Sequence, residues 1–190
     1  MKTALWFADP LEFLVATMLS AQCTDARVNI VTKELFKKYR TPEDYANADV
    51  ETFENEIRST GFYRNKAKNI MGANKVIMER FNSKVPDNME ELTRLPGVAR
   101  KTANIVLSNA YGKIEGIAVD THVKRLSKRL GLTKNRDPNK IEQDLMKIIP
   151  KEEWSNLSHL LIFHGRAICQ AKKPRCEVCV LNWFCPSSLV

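Results

Sequence analysis

Cys169, Cys176, Cys179 and Cys185 crowd four of the chain's five cysteines into one short stretch, spaced C-x6-C-x2-C-x5-C. Four thiolates this close in sequence can surround one metal centre and order a loop with little regular structure of its own. Zinc is the generic occupant of such a set, although zinc sites usually carry two short-spaced pairs and only Cys176 and Cys179 form one here. Lys172, Lys173 and Arg175 make the segment between the first two cysteines basic, whether merely solvated or facing an anion. Cys23 stands outside the set and reads as a small buried residue.

A second constellation is Leu95-Pro96-Gly97-Val98-Ala99-Arg100-Lys101-Thr102-Ala103-Asn104, followed by Asp120-Thr121-His122. Pro96 lacks a backbone N–H and Gly97 supports a tight turn, so the two residues separate two helices. Before them, Asp87 to Arg94 reads as a short helix capped by Asp87, with Glu90 at its third position. After them, a helix restarts near Arg100, with Ala103, Val106, Leu107 and Ala110 on one face. The start of that helix leaves backbone N–H groups without partners, and Arg100 and Lys101 add positive charge, so a phosphate is a natural guest. An ordinary helical hairpin with solvated basic residues explains the same pattern.

These segments need helices to position them, and helices are what the chain encodes. Asp9-Pro10-Leu11-Glu12 is a strong helix start, followed by the stripe Leu11, Leu14, Val15, Met18 and Leu19. Asp25 to Tyr39 follows with Val28, Val31, Leu35 and Phe36 inward; Thr41-Pro42 and Asp49 open two more helices. Lys66, Lys68 and Lys75 read as solvated or phosphate-facing charge on the next helix. Further on, Asp120 caps a helix over Thr121 to Leu130, and Asp137-Pro138 opens one with Ile141, Leu145 and Ile148 inward. Trp154, Leu157, Leu161 and Phe163 mark a last helix running towards Cys169. No convincing strand appears, so the fold class is all-α.

The 190 residues suffice for one large or two small domains. The 30 basic against 22 acidic residues leave a net charge of +8, an excess that suits a polyanion-binding protein. No run of about 18 apolar residues exists, so no membrane span is expected. Met1 to Pro10 shows no basic region leading into an apolar core. The expectation is an intracellular protein, in cytoplasm or nucleoid, whose cysteines ligate metal rather than pair as disulfides.

Leu-Pro-Gly-Val-x-Arg-Lys-Thr-Ala at residues 95–103, Val119-Asp120-Thr121-His122, Leu19-Ser20-Ala21-Gln22 and the cysteine spacing together resemble the helix-hairpin-helix DNA glycosylases of the endonuclease III family. The resemblance covers essentially the whole chain, with separate motifs in the right order. It implies a six-helix domain carrying the hairpin, residues 1–113, and a helical iron–sulfur domain, residues 114–190, with the active-site cleft between them. It also implies that the family's first N-terminal helix is missing from this chain.

The activity implied is bifunctional: removal of oxidised pyrimidines from duplex DNA, then cleavage of the abasic strand by β-elimination. The resemblance makes Lys101, at a helix start beside Arg100, the amine that attacks C1′ of the deoxyribose. Asp120, an N-cap on the residue reading, is the carboxylate that stabilises positive charge at the sugar. The resemblance places Gln22 in the gap left by the extruded nucleotide and Phe62 as the wedge beside Tyr63, within Gly61-Phe62-Tyr63-Arg64-Asn65-Lys66-Ala67. Leucine is the usual wedge, and an aromatic can stack where an aliphatic only fills; core packing remains the other reading of Phe62 and Tyr63. Pro96, Gly97, Val98, Ala99, Arg100 and Thr102 would hold DNA through the hairpin, with His122 structural or phosphate-contacting. Many family hairpins carry glycine at position 99; alanine in a left-handed conformation would cost on the order of 1 kcal/mol, so an ordinary backbone is expected at Ala99.

The cysteine spacing is that of the family's [4Fe–4S] loop, with Lys172 and Arg175 turned towards phosphates and zinc as the alternative. The partner would be double-stranded DNA with a damaged base or an abasic site, bound by a monomer. Two rival functions share parts of the pattern. A mismatch-specific glycosylase removing adenine or thymine generally lacks the lysine at 101, and a non-catalytic iron–sulfur DNA-binding module needs neither Lys101 nor Asp120.

Overall fold

The computed structural model describes residues 3–190, which contain ten α-helices and no strand. The chain divides into two compact units, one ending at Lys113 and one spanning Ile114–Val190. None of the helices is long and apolar enough to cross a membrane.

In the first unit α1 (Pro10–Leu19) starts where Asp9 accepts the Glu12 N–H at 2.9 Å, with Pro10 at the first helical position. The sequence pattern marks one apolar stripe on α1, yet Phe13 and Ala16 are fully buried beside it. A helix buried on nearly all sides is a core element, and α1 packs against α5 (Tyr63–Arg80) and α7 (Arg100–Ala110). Thr24 caps α2 (Asp25–Lys38), which buries Val28 and Leu35 and leaves Val31 and Phe36 partly covered. Thr41 and Asp44 form a reciprocal capping box at α3 (Pro42–Ala46), and Asp49 caps α4 (Val50–Ile57). Tyr45 and Phe53 from these two helices close an aromatic cluster with Tyr39, at centroid separations of 5.1 to 5.9 Å.

The short helix before the hairpin differs from its sequence reading. α6 spans only Met89–Leu92, and its cap is Asn88, whose side-chain oxygen accepts the Glu91 N–H at 3.0 Å. Asp87 is taken elsewhere: Lys113 Nζ donates to its carboxylate at 2.6 Å and to its carbonyl at 2.9 Å. A partner 26 residues away outcompetes a local capping role. Glu90 therefore sits one position earlier than expected, and Glu91 occupies the third.

In the second unit α8 (Thr121–Arg129), α9 (Pro138–Ile148) and α10 (Trp154–Ala167) surround a core of Ile117, Val119, Val123, Leu126, Ile141, Leu145 and Leu161. Ile148, expected inward, is about half exposed at the last position of α9, and Phe163 on α10 is about half exposed as well. Beyond α10 the chain runs to Val190 with one 3-10 turn, Cys176–Val178, and no further α-helix.

Candidate active site

The hairpin turn is built twice over around glycine. Val98 N–H donates to the Leu95 carbonyl at 3.1 Å across Pro96-Gly97, and Gly97 has φ +75°, the left-handed conformation this turn demands. A Cβ at Gly97 would also lie 2.7 Å from Asn69 Cβ on α5, so only glycine lets the turn press against that helix. Pro96 leans on the same helix over Gly72, while Leu95 and Val98 are buried and anchor the turn from below. Ala99 is the N-cap residue of α7, with φ −86° and ψ 168°, an extended backbone that alanine adopts without strain. It offers no side-chain oxygen, so the N–H groups of the first turn of α7 receive no side-chain cap. Lys101 and Thr102 follow in that first turn, Lys101 exposed and Thr102 half-buried, with Arg100 half-buried beside them.

A second group of residues sits at the ends of α1 and α5. Gln22 and Phe62 are both exposed, Phe62 by 67%, which removes the core-packing reading for Phe62. Both have left-handed backbones, φ 54° at Gln22 and φ 48° at Phe62, a conformation that side-chain-bearing residues adopt rarely and at a cost. Tyr63 is half-buried against the first core, and the guanidinium groups of Arg58 and Arg64 lie over its ring at 5.9 and 5.3 Å.

Lys66 overturns its sequence reading as solvated charge. Its side chain is buried, and its Nζ donates to the Leu19 carbonyl at 2.7 Å and the Thr60 carbonyl at 2.8 Å. Burial pulls its ammonium pKa below the usual lysine range. Its place within the stretch of residues 61–67 is the one feature in the sequence that sets it apart from Lys68 and Lys75, which are exposed on the same helix.

In the second unit Asp120 is the N-cap of α8, its Oδ1 accepting the Val123 N–H at 2.8 Å. The cap reading of Asp120 is therefore correct as far as it goes, and the side chain is half-exposed rather than sealed in. His122, in the first turn of α8, shares its Nδ1 with Arg125 Nη2 at 3.2 Å. A side chain at Gly165 on α10 would collide with that pair, so the absence of a Cβ there lets α10 close on α8.

All four of Cys169, Cys176, Cys179 and Cys185 line one cavity, walled by Leu126, Leu130, Ile168 and Leu181. Among the described residues no three His, Cys, Asp or Glu side chains form a preassembled metal-binding group. A donor set of four thiols in an apolar-walled cavity nevertheless suits an iron–sulfur cluster or a zinc ion by its chemistry. Two arginines that the sequence reading passed over hold this loop. Arg129 donates to Cys169 Sγ at 3.2 Å and to the Gln170 and Ala171 carbonyls, and Arg125 donates to the Gly165 and Cys169 carbonyls. Their spacing of four along α8, on the face that meets α10, is the signal that could have found them. Lys172 and Arg175 are both exposed on the loop.

The HhH-GPD superfamily base excision DNA repair proteins match residues 15–151. Endonuclease III of Synechocystis sp. is 57% identical over 185 residues, covering 97% of this chain and 84% of its own length. Endonuclease III of Bacillus subtilis is 52% identical over 179 residues, covering 94% of this chain and 81% of its own. A solved structure of a trapped endonuclease III–DNA covalent intermediate superposes with a TM-score of 0.87 at 51% identity, over 97% of this chain and 87% of that one. With the hairpin, the helix-capping Asp120 and the cysteine loop all present, the chain belongs to the endonuclease III family within the HhH-GPD superfamily of base excision DNA repair proteins.

Proposed function

We propose that the chain is a bifunctional DNA N-glycosylase and abasic-site lyase that removes oxidised pyrimidines from double-stranded DNA. The observation that carries this reading is Lys101, exposed in the first turn of a helix whose N–H groups have no side-chain cap, within a chain of this family. The Lys101 amine attacks C1′ of the damaged nucleotide and forms a C–N bond, while the C1′–base bond breaks and the base leaves with its electron pair and a proton. Opening of the sugar ring gives a Schiff base at C1′. That group acidifies the C2′ proton; its removal expels the 3′ phosphate and cuts the strand on the 3′ side.

Asp120 supplies the negative charge that stabilises the developing sugar cation. One of its oxygens is tied to the Val123 N–H, which holds the carboxylate in a fixed orientation and leaves the other oxygen to act. The backbone N–H groups at the start of α7 together with Arg100 and Thr102 bind backbone phosphates, with Pro96, Gly97, Val98 and Ala99 shaping the turn that approaches the duplex. Gln22 and Phe62 fill the space vacated by the extruded nucleotide, and Tyr63 supports the wedge. His122 steadies the start of α8 through Arg125.

Cys169, Cys176, Cys179 and Cys185 would hold a [4Fe–4S] cluster, which when bound cross-links the loop that carries Lys172 and Arg175 towards DNA phosphates. On this reading residues 1–113 form the hairpin domain and residues 114–190 the iron–sulfur domain of an intracellular monomer.

Borohydride reduction on a duplex containing one abasic site tests the lyase directly. Wild type should give a covalent protein–DNA adduct and Lys101→Ala none; an adduct of equal yield from Lys101→Ala would overturn the assignment. The purified protein should be yellow-brown with broad visible absorption. A colourless protein with one zinc per chain would replace the cluster with zinc.

A further inference from the structure

Two loops that the proposed function places in the duplex share one buried cation. We propose that Lys66 is a positioning residue for damaged-base extrusion: its ammonium clamps the end of α1 to the end of the 3-10 turn Arg58–Thr60, and so fixes the segments that lead into Gln22 and Phe62 relative to one another. The inference rests on the reading of Gln22 and Phe62 as gap fillers.

The geometry is specific. Leu19 is the last residue of α1 and Thr60 the last of the 3-10 turn, so both carbonyls face away from any continuing helix and need a donor from outside. Lys66 Nζ meets both, at 2.7 and 2.8 Å, from a side chain that is 6% exposed. The chain leaves Leu19 and reaches Gln22 three residues later; it leaves Thr60 and reaches Phe62 two residues later. Among the described residues only four non-glycine residues have positive φ, and Gln22 and Phe62 are two of them. The other two, Asn82 and Ser83, lie past the far end of α5.

A buried lysine at this place satisfies two helix-end carbonyls at the cost of desolvating a charge. Its ammonium is desolvated, pulled below its usual pKa by burial, and takes two neutral carbonyls rather than a carboxylate as hydrogen-bond partners. A methionine would fill the same volume without desolvating a charge, but would leave both carbonyls without that donor. What the charge adds is a double charge-assisted link at the negative ends of two helical segments, which fixes two strained backbones relative to one another. Extrusion needs that fixity, because a wedge and a gap filler that drift apart cannot both enter the stack.

Lys66→Met tests this in the full-length protein. Excision of a single oxidised pyrimidine from a duplex should fall by about 100-fold, the scale of an ångström-level misplacement. Strand cleavage at a preformed abasic site, where no base has to be displaced, should fall far less, and binding to undamaged duplex should hold. In the double variant Lys66→Met with Phe62→Ala, excision should be no slower than in the slower single variant, because Lys66 acts through the wedge. Amide exchange should quicken at residues 20–24 and 60–63 while α7 stays protected. Equal losses of excision and abasic cleavage, or fully multiplicative losses in the double variant, would overturn the proposal and leave Lys66 a plain packing residue. Should Lys66→Met fail to fold, Lys66→Gln, which keeps an amide donor for one carbonyl, carries the same comparisons. If wild type itself excises no lesion, the functional reading fails; unchanged exchange at the two loops in the Lys66 variant would then reject the clamp on its own.

Discussion

In the first unit Phe13, Leu14, Phe53, Ile70 and Leu107 are fully buried in a single cluster; from Cys169 to Val190 no side chain is buried, and Val180, Trp183 and Leu189 are 79%, 81% and 74% exposed. The same chain therefore uses two kinds of cohesion. The helices around α1 hold together by removing apolar surface from water, at roughly 25 cal/mol per Å². The cysteine loop has almost nothing to bury; the Arg125 and Arg129 hydrogen bonds, a contact between Cys179 Sγ and His164 Nε2 at 3.4 Å, and the Cys185 thiol donating to the Arg129 carbonyl at 3.5 Å tie it to the rest. A segment of that kind gains most from a cross-link, which is how small domains without a core are usually stabilised.

The sharpest way to break this contrast is to remove one thiol. Cys176→Ser should abolish the visible absorption and expose residues 169–190 to limited proteolysis, while amide protection in α1, α5 and α7 persists. A protease-resistant, colourless tail would mean that the arginine contacts suffice. Next in size, Phe53→Ala should cost about 3–5 kcal/mol in urea denaturation, because it opens a cavity between Tyr39 and Tyr45. Gly97→Ala joins left-handed strain to a 2.7 Å approach to Asn69 Cβ and should cost about 1–3 kcal/mol, with DNA affinity falling as the turn is pushed off α5.

Thr41→Ala, which removes half of a capping box on the surface, should cost only about 1 kcal/mol. The partner half gives a pH signature. The backbone N–H groups of Arg40 and Thr41 hold the Asp44 carboxyl below the usual carboxylate range. A depressed folded pKa contributes stability that is complete above the unfolded value near 3.9 and is lost as pH falls through the folded value. The melting temperature should thus respond to Asp44→Asn at neutral pH and converge with wild type in strong acid. A difference that persists unchanged in strong acid would exclude this carboxylate as its source.

Much of the architecture could be read from residues alone because it is set by contacts three or four positions apart. The starts of α1, α3, α4, α8 and α9 lie where Asp9, Thr41, Asp49, Asp120 and Asp137 place them, since a cap needs only its own next turn. Pro96-Gly97 and the cysteine spacing are equally local. Ala99 was legible in the same way: an extended N-cap residue needs no glycine. The misread positions share a different cause. Asp87 lost its capping role to Lys113, and Phe13 and Ala16 joined the core from outside the apparent stripe.

What the sequence by itself determined is which segments are helical, where they begin, and which side chains are available for chemistry. Only the tertiary structure decided that Lys66 is a buried clamp while Lys68 and Lys75 are solvated, and that Phe62 stands in water rather than in the core. The reason is physical: capping and periodicity act within one turn of chain, whereas desolvation depends on neighbours brought from distant parts of the sequence, such as Leu19 to Lys66, 47 residues on.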